Sequence, residues 1–271
     1  MGKLEKQHFA IGTDIGGGHI ACAAIDLDKK KIVRSTYSYE KIDSKAEAEI
    51  IIDGWAKALN NTIFKVDSDS IAGIGFAMPG PFDYANGIAL FEQVQKFEHL
   101  YGVNVAEEIQ KKMVGNSRIS LRFMNDATCF GIGESWIGKA KDYKYVVAIT
   151  LGTGFGSAFF EAGVPIVDRF DVPELGCVYH LPFEGSFADD SFSTRWYIKR
   201  YAQKTGKQVT GVKEIFDNVD NDSAAKDCFI EFGNNLAEFS EPWLTNFLAD
   251  AMVVGGDMSG ACERWGGACV S

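Results

Sequence analysis

The first half of the chain alternates between short apolar runs and polar turns, as an α/β protein does. Residues 7–37 predict three strands, separated by a glycine turn at 16–18 and by the polar turn "DKKK". Apolar residues recur at helical spacing over 44–64, where Ser44 and Glu47 predict a capping box at the start of a helix. Strand, helix, strand and helix follow in "IAGIGFAMPGPFD", "NVAEEIQKKM", "RISLRFMND" and "ATCFGIGESWIG". This order predicts an α/β fold with a mixed sheet.

The strand pattern of the N-terminal region begins again near the middle of the chain. The stretch "YVVAITLGTGFGSAFFEAGVPIV" repeats the architecture of "HFAIGTDIGGGHIACAAIDLDKKKIV". Aligning Gly16 with Gly152 places Cys22 on Ala158. An internal repeat of this length indicates two similar domains rather than a solenoid.

We therefore divide the chain into an N-terminal α/β domain, 1–118, and a C-terminal α/β domain, 119–271. The second domain carries helical additions from about residue 190, and "AMVVGGDMSGA" predicts a last strand, a glycine turn and the start of a helix. Each domain contributes one glycine hairpin, and ligands bind preferentially in clefts between domains.

The two glycine hairpins, at 16–18 and 152–156, carry the first functional signal. Glycine permits positive φ and lets a ligand approach the main chain, and successive exposed N–H groups in such a turn bind anions. One hairpin alone is equally well explained as a structural turn, whereas two in register favour a pair of phosphate cradles. The spacing at 152–156 is not the dinucleotide-binding fingerprint. The stretch 133–140, "GESWIGKA", is close to a nucleoside-triphosphate loop, but it follows a predicted helix and we interpret it as a chance match.

Carboxylates end two of the predicted strands. Asp14 closes "FAIGTD", and Asn125 and Asp126 close "ISLRFMND". A carboxylate at the C-terminal end of such a strand faces the active-site crevice of an α/β protein, although Asp126 also suits the N-cap of the following helix. Two such aspartates beside two glycine hairpins suit phosphoryl transfer, in which one orients Mg²⁺ and the other takes the proton of a hydroxyl.

Two further polar residues lie in "DVPELGCVYHLPF". Glu174 is predicted in a loop, where it is either an acceptor for a substrate hydroxyl or a solvated charge. His180 lies in an apolar run, which favours a core or edge histidine over a ligand. The His and Cys residues show no zinc-binding spacing, so the sequence predicts no metal centre built by the protein alone.

Composition narrows the classes of partner and the compartment. The net charge of −10 argues against a broad nucleic-acid surface. No apolar run reaches the length of about 18 residues that a membrane-spanning helix requires. The N-terminal residues show no signal-peptide pattern, so we expect a cytoplasmic protein. The six scattered cysteines, with no CxxC pair, predict reduced and mostly buried thiols.

Five motifs, "DIGGGHI", "GFAMPGPFD", "MNDA", "LGTGFGSA" and "VVGGDMSGA", occur in the order found in the ROK family of sugar kinases and sugar-responsive repressors. The chain resembles that family over almost its whole length. The resemblance implies the two-domain, actin-like ATPase (ribonuclease H-like) fold, with an ATP and sugar cleft between the domains. It also implies ATP with Mg²⁺, a sugar substrate and a homodimer.

The resemblance assigns roles to the matched positions. Asp126 matches the general base that takes the proton from the sugar hydroxyl, and Asp14 lies near the metal–phosphate group. The other implied roles are phosphate binding by Gly16, Gly17, Gly18, Gly152, Thr153 and Gly154, adenosine binding by Gly255 and Gly256, and sugar binding by Gly80, Asn125, Glu174 and Asp189.

Several positions depart from the family pattern. Gly18 stands where relatives usually have Thr, and Cys177 replaces the His of the E-x-G-H sugar motif. Gln95 and Lys96 occupy the place of a sugar-contacting Asn. The CxCGxxGCxE zinc segment is absent, and Asp189 in "GSFADDSFSTRW" takes the place of its sugar-binding Glu. The tail "CERWGGACVS" predicts no helix of the kind that family members return to the first domain.

We therefore predict an ATP-dependent hexose or amino-hexose kinase, glucokinase-like, that binds sugar and ATP but neither nucleic acid nor membrane. The alternative is a catalytically degenerate sugar-binding sensor, which the departures at the sugar-site positions favour. A DNA-binding repressor is the weaker third hypothesis. The acidic charge and the few residues before Asp14 predict no helix-turn-helix.

Overall fold

The chain divides into two compact units, Met1–Asp126 and Ala127–Ser271. The division falls after Asp126 because the strand before it pairs with the sheet of the first unit. Residue 118, the predicted end of the first domain, lies outside the described residues. The computed structural model describes residues 8–94, 96–115 and 119–266.

The described part of the first unit is built on a five-stranded mixed sheet. In chain order its elements are β1 (Phe9–Gly16), β2 (His19–Asp26), β3 (Lys31–Lys41), α1 (Ala48–Ile63), β4 (Ile71–Met78), β5 (Phe82–Asp83), β6 (Ile88–Ala89), α2 (Val105–Lys112) and β7 (Leu121–Asn125). The sheet has the order β3-β2-β1-β4-β7, in which β1, β4 and β7 are parallel and β2 is antiparallel to both of its neighbours. The predicted succession of strands and helices is confirmed, with the short hairpin β5–β6 as an addition.

Helix α1 packs on β2 and β3 because its apolar residues recur every three or four positions. Its buried side chains include Ile51, Ile52, Trp55, Leu59 and Ile63. Burial of a large apolar side chain contributes roughly 1.5–3 kcal/mol, so this one face suffices to hold the helix on the sheet.

The predicted capping box of α1 is wrong. The helix begins at Ala48, and its N-cap residue Glu47 makes no side-chain cap bond. A separate turn precedes the helix, in which Oδ1 of Asp43 accepts the amide of Lys45 at 2.9 Å. Because this turn includes Ser44, the serine lies before the helix instead of capping it.

The described part of the second unit is built on a four-stranded sheet. From α3 onward the elements are α3 (Asp126–Trp136), β8 (Tyr145–Leu151), β9 (Phe155–Glu161), β10 (Val164–Ile166), β11 (Pro182–Phe183), β12 (Ser186–Phe187), α4 (Ala188–Ser191), α5 (Thr194–Thr205), α6 (Val212–Asp217), α7 (Ser223–Phe247) and β13 (Ala251–Gly255). The sheet order is β10-β9-β8-β13, with β8 and β9 antiparallel and β13 parallel to β8. The helical pattern beyond residue 190 is confirmed, but a 3₁₀ helix, Ser259–Arg264, follows the last glycine turn.

An aromatic cluster joins α5 and α7 in the core of the second unit. Its fully buried members include Phe192, Tyr197, Phe229, Phe232 and Trp265. Tyr197 stacks on Phe232 with a centroid separation of 4.7 Å, and Nε1 of Trp265 donates to the Tyr197 hydroxyl at 3.1 Å. Packed rings of this size tolerate little change of volume.

No helix in the described part of the chain has both the length and the apolar character needed to cross a bilayer.

The surroundings of the two glycines of α3, Gly131 and Gly133, predict different effects of an added methyl group on stability. A Cβ on Gly131 would overlap the ring of Phe160 and lie 2.8 Å from Cβ of Ala148, whereas a Cβ on Gly133 would meet nothing within 4 Å. Alanine is favoured over glycine in a helix by about 1 kcal/mol, a gain that cancels between the two variants. We expect Gly131→Ala to have a free energy of unfolding about 1–3 kcal/mol lower than Gly133→Ala, because it overpacks a buried site. Urea unfolding followed by circular dichroism measures the difference, and coincident transitions would contradict this packing.

Candidate active site

The carboxyl ends of β1, β4 and β7 meet at one edge of the first sheet. Asp14 on β1 pairs with Ala77 on β4, which pairs in turn with Met124 on β7. Asn125 ends β7, and Asp126 follows as the first residue of α3. Since neighbouring strands lie about 4.8 Å apart, Asp14 and the Asn125–Asp126 pair share this edge at a separation of two strands. Asp126 follows the strand end directly, but it is the first residue of α3 and therefore lies one position beyond the N-cap that the sequence also suggested for it.

The side chain of Asn125 lies close to Gly80. Its Nδ2 donates to the hydroxyl of Tyr84 at 3.4 Å, and that hydroxyl donates to the carbonyl of Met78 at 3.2 Å. A Cβ on Gly80 would lie 3.4 Å from the same hydroxyl. Tyr84 therefore links two residues that the sequence predicted for sugar binding. The sequence reasoning missed Tyr84, whose one signal was its place directly after "PGPFD".

The first glycine hairpin leaves its main chain uncovered. Pairing of β1 with β2 extends to Gly16 and His19, so Gly17 and Gly18 form a two-residue turn. The expectation of positive φ is wrong for all three glycines. Gly16 must be small, because a Cβ there would lie 2.6 Å from the His19 ring. A Cβ on Gly18 would meet nothing within 4 Å, and one on Gly17 would lie 3.7 Å from Cδ of Lys96. At these two positions the lack of a side chain gives an anion access to the main chain.

The second hairpin turns within one residue fewer than the first. The paired residues Leu151 and Phe155 enclose three residues, whereas the equivalent pair in the first hairpin, Ile15 and Ile20, encloses four. The repeat therefore holds along the first strand of each hairpin and shifts by one residue beyond the turn. The predicted match of Cys22 with Ala158 is wrong for this reason, and Cys22 corresponds to Ser157.

Residues at the start of α5 hold the second hairpin. The amide and the hydroxyl of Thr194 both donate to the carbonyl of Gly152, at 2.8 and 2.9 Å. Nη1 of Arg195 donates to the carbonyl of Thr153 at 2.8 Å, and Nη2 pairs with Oδ2 of Asp189 at 2.6 Å. The sequence reasoning missed Thr194 and Arg195, because "STRW" signals no more than the start of a helix.

Asp189 on α4 has contacts with two separate segments. Its Oδ1 accepts the amide of Phe155 at 2.8 Å, which adds a second attachment to the hairpin. Its own amide donates to the carbonyl of Tyr179 at 2.9 Å. The residue that the resemblance implies for sugar binding therefore also contacts the second phosphate motif.

Gly255 and Gly256 stand at the end of β13, next to the strand that leads into the second hairpin. A Cβ on Gly255 would lie 2.7 Å from ring atoms of Phe130. Gly256 has a φ of +85°, and a Cβ there would overlap the carbonyl of Leu151. The packing and backbone conformation of the chain itself therefore account for both glycines.

The segment that resembles the sugar motif is attached to β9. Glu174 is exposed and opens a short 3₁₀ turn, where the sequence predicted a loop. The hydroxyl of Ser157 donates to the carbonyl of Gly176 at 2.6 Å and accepts the amide of Val178 at 3.0 Å. These two bonds bracket the half-buried Cys177 and fix its main chain.

Two expectations about exposure are wrong. His180 is exposed instead of lying in the core or at its edge, because the adjoining Tyr179 is itself 50% exposed and the two rings meet at the surface. Gln95 and Cys269 lie outside the described residues. The described thiols are not mostly buried, since Cys22 and Cys228 are buried but Cys129, Cys177 and Cys262 are half-buried.

The predicted site residues fall into two groups, one in each unit. The carboxyl edge of the first sheet carries Asp14, Gly16, Gly17, Gly18, Gly80, Asn125 and Asp126. In the second unit, the carboxyl edge of the sheet carries Gly152, Thr153, Gly154, Gly255 and Gly256, while Asp189 and Glu174 belong to segments bonded to β9 or its hairpin.

The donor set at the first edge fits Mg²⁺ bound together with a nucleotide. The described residues include no cluster of three His, Cys, Asp or Glu side chains able to hold a metal on its own. Mg²⁺ is commonly bound by one or two carboxylates together with substrate phosphates. Asp14 supplies such a carboxylate, since it is exposed and lies three residues before Gly17, where the open turn begins.

Comparison of sequences relates the chain to sugar kinases. The sequence model of the ROK family matches residues 10–263. The chain is 29% identical over 177 residues to the glucokinase of Thermotoga maritima, a match that covers 64% of the chain and about half, 51%, of that protein. It is 25% identical over 270 residues to the N-acetyl-D-glucosamine kinase of Aliivibrio fischeri, covering 92% of the chain and 84% of that protein.

Comparison of structures gives the same fold for a kinase and for a regulator. A ROK family glucokinase from Streptomyces griseus, solved with glucose and AMPPNP, matches with a TM-score of 0.74 at 22% identity, covering 95% of this chain and 86% of that one. A ROK family transcriptional regulator matches with a TM-score of 0.73 at 15% identity, covering 96% of this chain and 67% of that one. The predicted actin-like ATPase fold is confirmed.

A buried thiol lies next to Asp14 in the first sheet. Cys22 on β2 pairs with Thr13 and is 1% exposed. Burial, and to a smaller extent the charge of Asp14, raises the pKa of the Cys22 thiol from its usual 9.0 to about 12. The folded chain therefore keeps Cys22 protonated at pH values where the unfolded chain ionises it.

We expect Cys22 to make the free energy of unfolding fall as the pH rises from about 9 towards about 12. The sign follows because the unfolded state binds fewer protons than the folded state throughout this window. Compared with Cys22→Ala, the wild-type protein should lose up to about 1.4 kcal/mol more per pH unit there, whereas below the window the difference between them is constant. Urea unfolding of both proteins at a series of pH values measures this, and parallel curves through the window would contradict it.

Proposed function

The chain belongs to the ROK family, and on this basis we propose that it is an ATP-dependent kinase that phosphorylates a hydroxyl of a hexose or amino-hexose. Its relatives support this reaction, since one is a glucokinase and another an N-acetyl-D-glucosamine kinase. The similar Streptomyces griseus glucokinase was solved with glucose and AMPPNP, which supports the same two ligands for this chain. A Mg²⁺ requirement, a homodimer and a cytoplasmic location belong to the same proposal.

The observation that carries the proposal is the placement of Asp14, Asn125 and Asp126 at one edge of parallel strands, beside the open turn of Gly17 and Gly18. Ligands of α/β proteins bind at the carboxyl ends of their parallel strands. A phosphoryl transfer needs a proton acceptor, a group that orients the metal–phosphate unit and donors for phosphate oxygens. These residues supply all three.

In the proposed reaction, the oxygen of a sugar hydroxyl attacks the γ-phosphorus of ATP and its proton passes to the carboxylate of Asp126. The bond between the γ-phosphorus and the oxygen bridging it to the β-phosphate breaks, so that sugar phosphate and ADP are the products. Asn125 orients the sugar, and the main chain at 17–18 and 152–154 binds phosphate oxygens. Asp14 would hold Mg²⁺, whose charge offsets that of the phosphates.

Sugar binding without phosphorylation is a second candidate function. Cys177 stands where the family has a His, and both carboxylate oxygens of Asp189 already have partners in the chain. Both departures concern positions implied for the sugar, and neither affects the fold. The similarity to a transcriptional regulator makes DNA a further ligand to include in binding measurements.

The variant Asp126→Asn tests the proposed base. We expect ADP release, measured in a coupled assay over a panel of hexoses and amino-hexoses, to fall about 10²–10⁴-fold, because the amide cannot accept the hydroxyl proton. Sugar affinity measured by calorimetry should stay close to that of the wild-type protein, since Asn125 is retained. The matched control is Asp227→Asn, which neutralises an exposed aspartate of α7 and should turn over normally.

Wild-type turnover by Asp126→Asn, with an unchanged circular dichroism spectrum, would rule out Asp126 as the base. Sugar binding by the wild-type protein with no ADP release on any sugar of the panel would instead favour the sensor. Specific binding of duplex DNA, released by sugar, would favour a regulator.

A further inference from the structure

The second glycine hairpin presents two amides without a partner among the described residues. The N–H groups of Thr153 and Gly154 lie outside the β8–β9 pairing and donate to no residue that the structure describes. The flanking amides are both engaged, that of Gly152 with the carbonyl of Gly154 at 3.1 Å and that of Phe155 with Asp189. Two successive open donors in a turn are the arrangement that binds a phosphate oxygen.

The peptide groups that carry these amides are held by α5 through their carbonyls. The carbonyl of Gly152 shares a peptide plane with the N–H of Thr153, and the carbonyl of Thr153 shares the next plane with the N–H of Gly154. In a trans peptide the C=O and N–H bonds point in opposite directions. Thr194 binds the first carbonyl and Arg195 binds the second. Both amides are therefore directed away from α5.

Asp189 fixes the guanidinium of Arg195, which contacts the carbonyl of Thr153. One N–H of Arg195 donates to Thr153 while another pairs with Oδ2 of Asp189, and Oδ1 of the same carboxylate accepts the amide of Phe155. The planar guanidinium offers two N–H groups in fixed directions, which the single ammonium of lysine does not. The carboxylate of Asp189 offsets the charge of Arg195 and fixes the direction of its guanidinium. Arg195 therefore holds the carbonyl of Thr153 in one position.

We propose that Arg195 and Asp189 are positioning residues for the nucleotide. With Thr194 they preorganise the amides of Thr153 and Gly154 to bind a phosphate of ATP. The choice of ATP as the ligand rests on the proposed function. Asp189 is thereby assigned to the phosphate-binding loop, whereas the resemblance implies sugar binding. Donors that are already ordered bind an anion without the cost of ordering the loop when the ligand arrives.

Substitution of Arg195 tests this role. Arg195→Gln removes the charge and the fork, and Arg195→Lys keeps the charge but cannot serve both partners. The matched control is Arg200→Gln on the same helix, where the arginine pairs with Glu231 at 2.6 Å. The measurements are KM for ATP, KM for the sugar and the Kd of AMPPNP by calorimetry.

For Arg195→Gln we expect KM for ATP and Kd for AMPPNP to rise about 10-fold to 100-fold, the effect of losing hydrogen bonds made by a charged group. Arg195→Lys should show a smaller rise. KM for the sugar should keep its wild-type value in both variants, and Arg200→Gln should leave all three constants unchanged.

Asp189→Asn separates the two roles of Asp189. The amide oxygen can still accept the N–H of Phe155, but the charge that holds Arg195 is lost. We expect KM for ATP to rise and KM for the sugar to stay constant. A rise in KM for the sugar alone would make Asp189 a sugar ligand and would overturn the proposal.

The calorimetric arm distinguishes failure of this inference from failure of the proposed function. An unchanged Kd for AMPPNP in Arg195→Gln, with the fold verified by circular dichroism, overturns the positioning role alone. If the wild-type protein binds AMPPNP but phosphorylates no sugar, the proposed kinase function is wrong. The Kd of the variants for AMPPNP then still decides the role of Arg195. A wild-type protein that binds no nucleotide overturns both.

Discussion

Parallel pairing of β1 with β4, and of β4 with β7, is the constraint on which the rest of the first unit depends. It brings the carboxyl ends of three strands to one edge, so that Asp14, near the start of the chain, and Asp126, at the end of the unit, lie on the same side of the sheet. Parallel strands cannot be joined by a tight turn, and α1 and α2 lie in the connections that this pairing requires. The second unit repeats the principle with β8 and β13, which align the second hairpin with Gly255.

The positions that follow from local periodicity could be predicted from the sequence. Along β1, buried Ile11, Thr13 and Ile15 alternate with less buried residues, and Asp14 is the exposed position of this alternation near the end of the strand. The strand end at Asn125 follows in the same way. The fold and the two carboxylate positions are accessible from sequence because burial imposes a period on the chain.

The remaining features depend on contacts that no local pattern encodes. Thr194 and Arg195 bind a hairpin 42 residues earlier in the chain, and nothing in "STRW" indicates that partner. The capping box failed because the side chain of Asp43 forms a competing turn just before the helix. The one-residue shift between the hairpins was hidden because the glycine spacing looks the same whether the equivalent strand pair encloses four residues or three.

Glycine occurs in this chain for three different physical reasons, which the sequence alone cannot separate. At Gly131 a neighbouring ring excludes a side chain, and at Gly256 the backbone conformation itself favours glycine. At Gly17 and Gly18 neither reason applies, since a Cβ would meet at most one ordinary contact. At these two positions the missing side chains leave the main chain of the turn accessible to an anion, as the proposed function requires.

Asp189 is a mechanical link within the second unit. Its main chain is bonded to Tyr179, in the segment that follows Glu174 and Cys177, and its side chain is bonded to the second hairpin. If sugar and nucleotide bind at these two segments, Asp189 is the hydrogen-bonded connection between the two binding regions. Their affinities are then joined by a single coupling free energy, and each ligand must change the binding of the other by the same factor. The sign of that coupling free energy would decide whether the first ligand strengthens or weakens the binding of the second.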